Sequence, residues 1–260
     1  LFFHEQHIPM AHSSLSRVDH RPWAIPRGPW IGRQSWLDLL FAHWPIPAEQ
    51  LRPLVPPELQ VQEFQGTSWI GVVPFRMAGI APRGCPDIPG LSAFPELNVR
   101  LYVERDGKPG VWFLSLDATK RIAVWAARRF FHLPYYLADI EIAERDGAFD
   151  YRARRPDTPD DQQFHAQYRP VSDTFAASPG SLEAFLAERY CLYAQDSRGT
   201  IYRVDVHHVP WPLQRAQGTV RPGYLLAAHG LQVTGEPLLH FSRGVDTIVW
   251  NLEKLVDVRA

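Results

Sequence analysis

The chain has little lysine, little cysteine and no long apolar run, and each shortage excludes a class of protein. Lysine occurs only at Lys108, Lys120 and Lys254, so nearly all of the positive charge is arginine. The two cysteines, Cys85 and Cys191, are too few for a disulfide framework and lack C-x-x-C spacing. We therefore expect a reduced, cytoplasmic protein that is not held together by disulfides.

Motifs for membranes, nucleic acids and cofactors are also missing. No segment approaches the ~20 apolar residues of a membrane-spanning helix. The formal net charge is −1 and there is no lysine or arginine run, so no long-range field concentrates nucleic acid. The sequence contains no G-x-x-x-x-G-K, G-x-G-x-x-G or H-E-x-x-H motif. We predict no membrane, no nucleic-acid partner, no metal and no cofactor.

What remains is a chain of short segments whose apolar residues mostly alternate. The 24 prolines and 17 glycines separate these segments, and a period of two is typical of strands. We expect residues 1–20 to form a flexible tail and residues 21–260 to form a single domain. So many strands predict a β-rich α+β domain that closes into a barrel or a pair of packed sheets. The predicted strands cover residues 36–43, 59–64, 68–77, 97–104, 111–117, 136–144, 149–154, 164–169, 200–207 and 238–249.

Three helical pieces and one hairpin interrupt the alternation. A short helix follows Pro47, and a longer one covers residues 121–131. Ser181 is placed to cap a third helix that reaches Tyr190. Asp146-Gly147, between two predicted strands, indicates a tight hairpin.

The segment FPELNVRLYVE, residues 94–104, carries the sharpest local signal. As a strand it places leucines and valines on one face and Glu96, Asn98, Arg100 and Tyr102 on the other. The polar face is either an ordinary solvated face or, in a closed barrel, the wall of a cavity. In the second case an acid, an amide, a guanidinium and a phenol would converge on a small polar ligand.

Several long segments together resemble the DUF2071 (YqjF-like) family, from about His20 almost to the C-terminus. They include LLFAHWPIPAEQLRPLVPPEL, SWIGVVPFRM, FPELNVRLYV, RRFFHLPYYLA, GSLEAFLAERYCLY and LLHFSRGVDTIVW. The family is similar, more distantly, to acetoacetate decarboxylase. This resemblance implies the decarboxylase-like fold, a strongly bent sheet that closes into a cone-shaped β-barrel around an internal pocket. FPEL resembles an aromatic-x-Glu motif of the decarboxylase whose glutamate lines the pocket.

The segment RRFFHLPYYLA departs from the decarboxylase at the decisive positions. There the proline is followed by two lysines, of which the first forms a Schiff base with the keto acid and the second lowers its pKa. Here the two positions are Tyr135 and Tyr136, and neither side chain forms an imine. The resemblance therefore implies an active-site frame without its nucleophile.

Two functions stay open, together with a plainer one. The first is an acid-base enzyme on a small oxo- or hydroxy-carboxylate, with Glu96 as acid or base, Arg100 as carboxylate anchor and Tyr135 as hydrogen-bond donor. The second is a non-catalytic protein that binds a small ligand in the same pocket. In the plainest reading the aromatic residues are only core packing or a surface for homo-oligomerisation. The expected ligand-binding residues are Asn98, Tyr102, Tyr136, His132, Trp69 and Phe94.

Overall fold

The computed structural model describes residues 12–256, and thirteen strands dominate this part of the chain. They are β1 (Gly32–Ile46), β2 (Gln60–Val61), β3 (Ser68–Pro82), β4 (Phe94–Arg105), β5 (Lys108–Ala118), β6 (Tyr135–Leu137), β7 (Asp139–Arg145), β8 (Ala148–Arg154), β9 (Phe164–Pro170), β10 (Cys191–Gln195), β11 (Ile201–His207), β12 (Leu213–Arg221) and β13 (Leu238–Lys254). The α-helices are α1 (Ala48–Leu51), α2 (Arg121–Phe131), α3 (Leu182–Ala187) and α4 (Tyr224–Ala227).

Seven strands close into a barrel, as the sequence predicts. Their order is β1-β3-β4-β5-β10-β11-β13, and β13 pairs back onto β1. All of these pairs are antiparallel except β5 with β10. Closure leaves the ring without a free edge.

The remaining long strands form a sheet beside the barrel. They run in the order β12-β9-β8-β7, and β12 joins this sheet to β13. The Asp146-Gly147 hairpin between β7 and β8 is confirmed, with positive φ angles of 49° and 73° at its two central residues. A large aromatic core that includes Phe149, Tyr168 and Phe241 lies on this side of the barrel.

Both faces of β4 are buried, which excludes the solvated reading of its polar face. Its apolar face, Leu97, Val99, Leu101 and Val103, is fully buried in the large core. On the other face, Glu96 is 2% exposed and Tyr102 is 1% exposed. The polar side chains therefore lie inside the protein and not in bulk solvent.

The structure differs from the sequence prediction at several boundaries. The helix capped by Ser181 ends at Ala187, and the next residues lead into β10, which the prediction lacks. The strand β12 is also absent from the prediction, and the strand predicted over residues 59–64 is reduced to β2. The strand predicted over residues 136–144 is divided into β6 and β7.

Packed structure begins before residue 21, where the predicted domain starts. Residues 1–11 of the expected tail lie outside the described residues. Residues 12–20 are packed, because Ser14 is 3% exposed and its carbonyl oxygen lies 2.9 Å from Nε2 of His207. This part adds a short 3-10 helix, Ser13–Ser16, to the outside of the barrel. The flexible tail over residues 1–20 and the single domain over residues 21–260 remain predictions.

Candidate functional site

The barrel encloses a cavity of about 280 Å³. Its wall includes residues from all seven barrel strands, from α2 and from the segment after α3. Most of the wall is aliphatic or aromatic. The polar or titratable side chains on it are those of Gln34, Trp36, Glu96, Asn98, Arg100, Tyr135, Arg189, Cys191, His208 and Trp211.

A bulge in β1 brings additional wall residues to the cavity. Asp38 adopts a positive φ of 51°, and the register between β1 and β3 shifts by one residue between Leu37 and Ala42. One extra residue reverses the alternation of faces, so Trp36 and Leu39 both line the cavity. The Asp38 carboxylate pairs with Arg76 and with Arg243, the latter at 2.9 Å, and these contacts stabilise the bulge from outside.

Glu96 is a carboxyl group in apolar surroundings. Its neighbours in the sheet are Phe75 on β3 and Ala118 on β5, and the Tyr135 hydroxyl donates a hydrogen bond to its Oε2 at 2.7 Å. Burial raises the pKa of Glu96 to about 8, although hydrogen bonds from Tyr135 and Asn98 oppose the rise. Glu96 is therefore a neutral acid near pH 7.

Tyr135 reaches Glu96 because of the turn that follows α2. His132 ends the helix in the left-handed region with a φ of 54°, and Pro134 leads into β6, which pairs in parallel with β5. This places Tyr135 beside Leu116, on the cavity wall. Burial raises the pKa of Tyr135 well above its usual value, as does the neighbouring Glu96, so its hydroxyl remains a donor.

Three buried polar atoms of wall residues have no partner. They are Oδ1 of Asn98, an acceptor, and two donors, Nε1 of Trp36 and Nη2 of Arg189. Buried polar groups are nearly always hydrogen-bonded, and an unsatisfied one costs about 1–3 kcal/mol. These three atoms are therefore candidates for hydrogen bonds to a polar ligand.

Arg100 marks the other end of the polar stripe on β4. Its Nε donates to the Tyr102 hydroxyl at 3.2 Å, and its Nη2 donates to the Leu186 carbonyl oxygen at 2.8 Å. The guanidinium stacks over Phe41 at 5.3 Å. Tyr102 also donates to the Leu186 oxygen at 2.9 Å, and Nε2 of the fully buried His43 lies 2.5 Å from the Tyr102 hydroxyl. Burial holds the pKa of His43 well below its usual value, so this imidazole is neutral.

Arg189 is a second cavity guanidinium, and the sequence analysis missed it. Its Nε donates to the Phe185 carbonyl oxygen at 2.7 Å, and its Nη1 donates to Gln62 at 2.5 Å. Its Nη2 is buried and unpartnered. Burial lowers the pKa of Arg189 to about 10, with a smaller lowering from Arg100, so the group is still cationic at neutral pH.

Five of the nine residues expected at the site line the cavity, and four do not. Phe94, Glu96, Asn98, Arg100 and Tyr135 are on the wall. The other four are Trp69, Tyr102, His132 and Tyr136. Trp69 packs in a small cluster with Tyr102, behind the wall.

Tyr136 and His132 face away from the cavity. Because successive strand residues alternate, Tyr136 points opposite to Tyr135 and lies against the Arg155 guanidinium, 3.7 Å from the ring centroid. The His132 ring lies 5.1 Å from the Tyr202 ring and borders a separate surface pocket. These two side chains could reach a cavity ligand only after rearrangement.

A second, larger concavity lies on the surface of the sheet beside the barrel. A groove of about 770 Å³ covers the outer face of β7, β8, β9 and β12. Its lining contains no unpartnered buried polar atom among the described residues. No group of three or more metal-ligating side chains occurs within residues 12–256, and no helix there is long and apolar enough to cross a membrane.

Comparison with known families shows to which family the chain belongs. The model of the DUF2071 family, described as "Uncharacterized conserved protein", matches residues 33–246. The chain belongs to the DUF2071 family. This DUF2071 chain is 44% identical over 239 residues to the uncharacterized protein YqjF of Bacillus subtilis (strain 168), covering 92% of this chain and 98% of YqjF.

Solved structures show the same fold as this DUF2071 protein. The enduracididine biosynthesis enzyme MppR, in complex with a condensation product of pyruvate and imidazole 4-carboxaldehyde, is 14% identical with a TM-score of 0.64, covering 89% of this chain and 91% of MppR. An acetoacetate decarboxylase of Legionella pneumophila is 13% identical with a TM-score of 0.57, covering 94% of both chains. The acetoacetate decarboxylase-like fold expected from the sequence is thus confirmed.

The DUF2071 cavity differs from a Schiff-base site in its lysines. Of the residues that the structure describes, no lysine lines the cavity. Lys108 Nζ lies over the Trp23 ring at 5.9 Å, Lys120 immediately precedes α2, and Lys254 ends β13 at the exposed end of the strand. The cavity instead combines a neutral acid, a phenol and two guanidinium groups.

Proposed function

We propose that this DUF2071 protein binds a small oxo- or hydroxy-carboxylate inside the barrel and transfers protons to and from it without forming an imine. The observation that carries this proposal is the arrangement of Glu96, Tyr135 and Arg100 on the wall of one cavity in the barrel. A buried acid beside a phenol, in a cavity that also holds a cation, is a typical arrangement for acid-base catalysis.

Each of the three residues has a distinct role. Glu96, protonated on Oε1, donates its proton to the carbonyl oxygen of the ligand while a water molecule takes up a proton from the neighbouring carbon, which gives the enol; the proton held by water then returns to the Glu96 carboxylate. Tyr135 holds Oε2 through its 2.7 Å hydrogen bond and stabilises the carboxylate that forms. Arg100 attracts the ligand's carboxylate. Tyr135 thus acts through Glu96, instead of contacting the oxyanion as the sequence suggests.

A non-catalytic ligand-binding protein is the second candidate. The aromatic wall favours it, because Trp36, Phe75, Phe94, Phe113 and Trp211 all line the cavity. Such a wall buries apolar ligand surface and needs no catalytic group. The two candidates share the cavity and differ only in whether Glu96 exchanges a proton with the ligand.

Thermal melting followed by an exchange assay separates them. The purified protein is melted at pH 6.5 with a panel of small oxo- and hydroxy-carboxylates, since a ligand that binds the folded state raises Tm. Ligands that stabilise the protein are then incubated in D₂O, and proton NMR follows exchange of the C–H protons next to the carbonyl group. Acid-base catalysis predicts exchange that the variant Glu96→Gln abolishes.

A control variant and the possible outcomes distinguish the two candidates. Glu58→Gln changes an exposed glutamate outside the cavity and should exchange the ligand like the unmodified protein. Stabilisation without exchange supports the binding protein and refutes the enzyme. If no carboxylate on the panel raises Tm, both candidates are wrong and the aromatic cluster is core packing.

A further inference from the structure

Two buried cations on the cavity wall have no counter-ion. Arg100 is 9% exposed and Arg189 is 7% exposed. Their hydrogen bonds go to neutral oxygens, and neither forms an ion pair with a carboxylate of the described residues. Glu104 is near enough to favour the charged form of Arg189 but not to pair with it. Buried charges without a partner are costly, so an uncompensated pair indicates a site for an anion.

A free donor on one of these cations supports this conclusion. Nη2 is the one nitrogen of Arg189 that lacks an acceptor, and the residue lines the cavity. The planar fork of a guanidinium matches the two oxygens of a carboxylate. Both guanidinium groups lie over the Tyr102 ring, at 5.6 Å for Arg100 and 5.0 Å for Arg189. The two cations are thus gathered at one end of the cavity.

That end is distant from the acid. Glu96 and Arg100 are four residues apart on β4, which corresponds to ~13 Å along a strand. The Arg100 head leans further away, because its Nε is bonded to Tyr102. After about 3 Å for the hydrogen bond at each end, roughly 7 Å remains between the ligand's own oxygen atoms.

We propose that Arg189, together with Arg100, binds the carboxylate of an elongated ligand whose carbonyl or hydroxyl oxygen lies about five bonds away, at Glu96. This rests on the proposed function and names its ligand class. An extended carbon chain advances ~1.25 Å per bond, so five bonds span the gap. A 2-oxo or 3-oxo acid is too short to reach both ends. The cavity of about 280 Å³ accommodates roughly ten non-hydrogen atoms, which such a ligand has.

A chain-length series tests the ligand class. The probes are 2-oxopropanoate, 3-oxobutanoate, 4-oxopentanoate, 5-oxohexanoate, 6-oxoheptanoate and 7-oxooctanoate, each titrated by calorimetry at pH 6.5. We expect the lowest Kd for 4-oxopentanoate or 5-oxohexanoate, whose carboxylate and oxo oxygens are five and six bonds apart, and affinity at least tenfold lower for the first two probes. Tightest binding of a 2-oxo or 3-oxo acid, or no dependence on length, would overturn the inference. So would inorganic phosphate binding as tightly as the best oxo acid.

The variant Arg189→Gln tests whether Arg189 binds the carboxylate. It should weaken binding of the best oxo acid at least tenfold, while the neutral ketone 2-heptanone binds the variant and the unmodified protein equally. Arg189 also donates hydrogen bonds to Phe185 and Gln62, so Arg189→Lys is the second variant. Lysine keeps the positive charge but lacks the planar guanidinium, and it should weaken binding by a smaller factor. Equal losses for the ketone and the acid would show a merely structural role and refute the assignment.

The two proposals fail in different ways. Glu96→Gln should still bind the carboxylate through Arg189 but catalyse no exchange. Binding that depends on Arg189 and on chain length, without exchange in D₂O, refutes acid-base catalysis and leaves the carboxylate site standing. Exchange of short oxo acids that Arg189→Gln does not alter refutes the site and leaves the catalysis standing.

Discussion

The protonation state of Glu96 should control how stability depends on pH. The folded protein raises the pKa of Glu96 from 4.5 to about 8 by burial, opposed by the Tyr135 hydrogen bond. Between these two pH values the unfolded chain has lost the proton while the folded protein keeps it. Stability from this group is therefore fully present below pH 4.5 and is lost as pH rises through about 8.

The size of the effect follows from the shift. One pKa unit corresponds to about 1.4 kcal/mol, so the full shift corresponds to about 5 kcal/mol and the part between pH 5 and 8 to about 4 kcal/mol. Gln at this position has the shape of the neutral acid and does not titrate. We expect Glu96→Gln to match the unmodified protein at pH 5 within ~1 kcal/mol and to exceed it by about 4 kcal/mol at pH 8.

Urea unfolding at constant ionic strength measures this difference. Other buried groups titrate as well: the pKa of His208, for example, is lowered to about 4 by burial, which acts in the opposite direction. Only the difference between the unmodified protein and Glu96→Gln isolates Glu96. A difference that stays constant from pH 5 to 8, or that favours the unmodified protein at pH 8, would refute a neutral buried acid.

Three further predictions concern the frame of the site. Tyr135→Phe removes the donor to Glu96, which should cost about 1–3 kcal/mol in urea unfolding at pH 6 and move the pH window of stability loss upward, because that hydrogen bond lowers the pKa of Glu96; an unchanged profile would contradict the contact. Asp117→Asn breaks the ion pair between the buried Asp117 carboxylate and Arg155 at 2.7 Å and should cost about 3–5 kcal/mol; because the Asp117 charge also raises the pKa of Glu96, the pH window of stability loss should move downward, and an unchanged profile would contradict this. Gly244→Ala, at a φ of 135° and with its Cβ overlapping a backbone oxygen of β1, should destabilise by more than 2 kcal/mol, and a Tm within a few degrees would contradict the close approach of the strands.

Much of the site could be predicted from one strand. The alternation in β4 assigns Glu96, Asn98 and Arg100 to one face, and the resemblance to the decarboxylase places that face inside a barrel. The same alternation misleads for Tyr102, whose hydroxyl is used within the wall by Arg100 and Leu186. A period of two identifies which residues share a face of the strand. It does not show how far along β4 the cavity extends.

Other residues could not be predicted because their positions depend on partners distant in sequence. Arg189 follows Leu182, Phe185 and Leu186 at helical spacing, so the pattern favours a longer helix. The helix ends at Ala187 because the chain turns into β10, which pairs with both β5 and β11. For the pair Tyr135 and Tyr136, sequence alone does not decide which one faces inward; pairing of β6 with β5 does.

The central claim is that one ligand spans the cavity from Arg189 to Glu96. A crystal structure of the protein with the oxo acid that binds most tightly tests this claim most directly. We predict density inside the barrel, with the carboxylate within hydrogen-bonding distance of Nη2 of Arg189 and the oxo oxygen at Oε1 of Glu96. Density outside the barrel, or a ligand that contacts only one of the two ends, would contradict it.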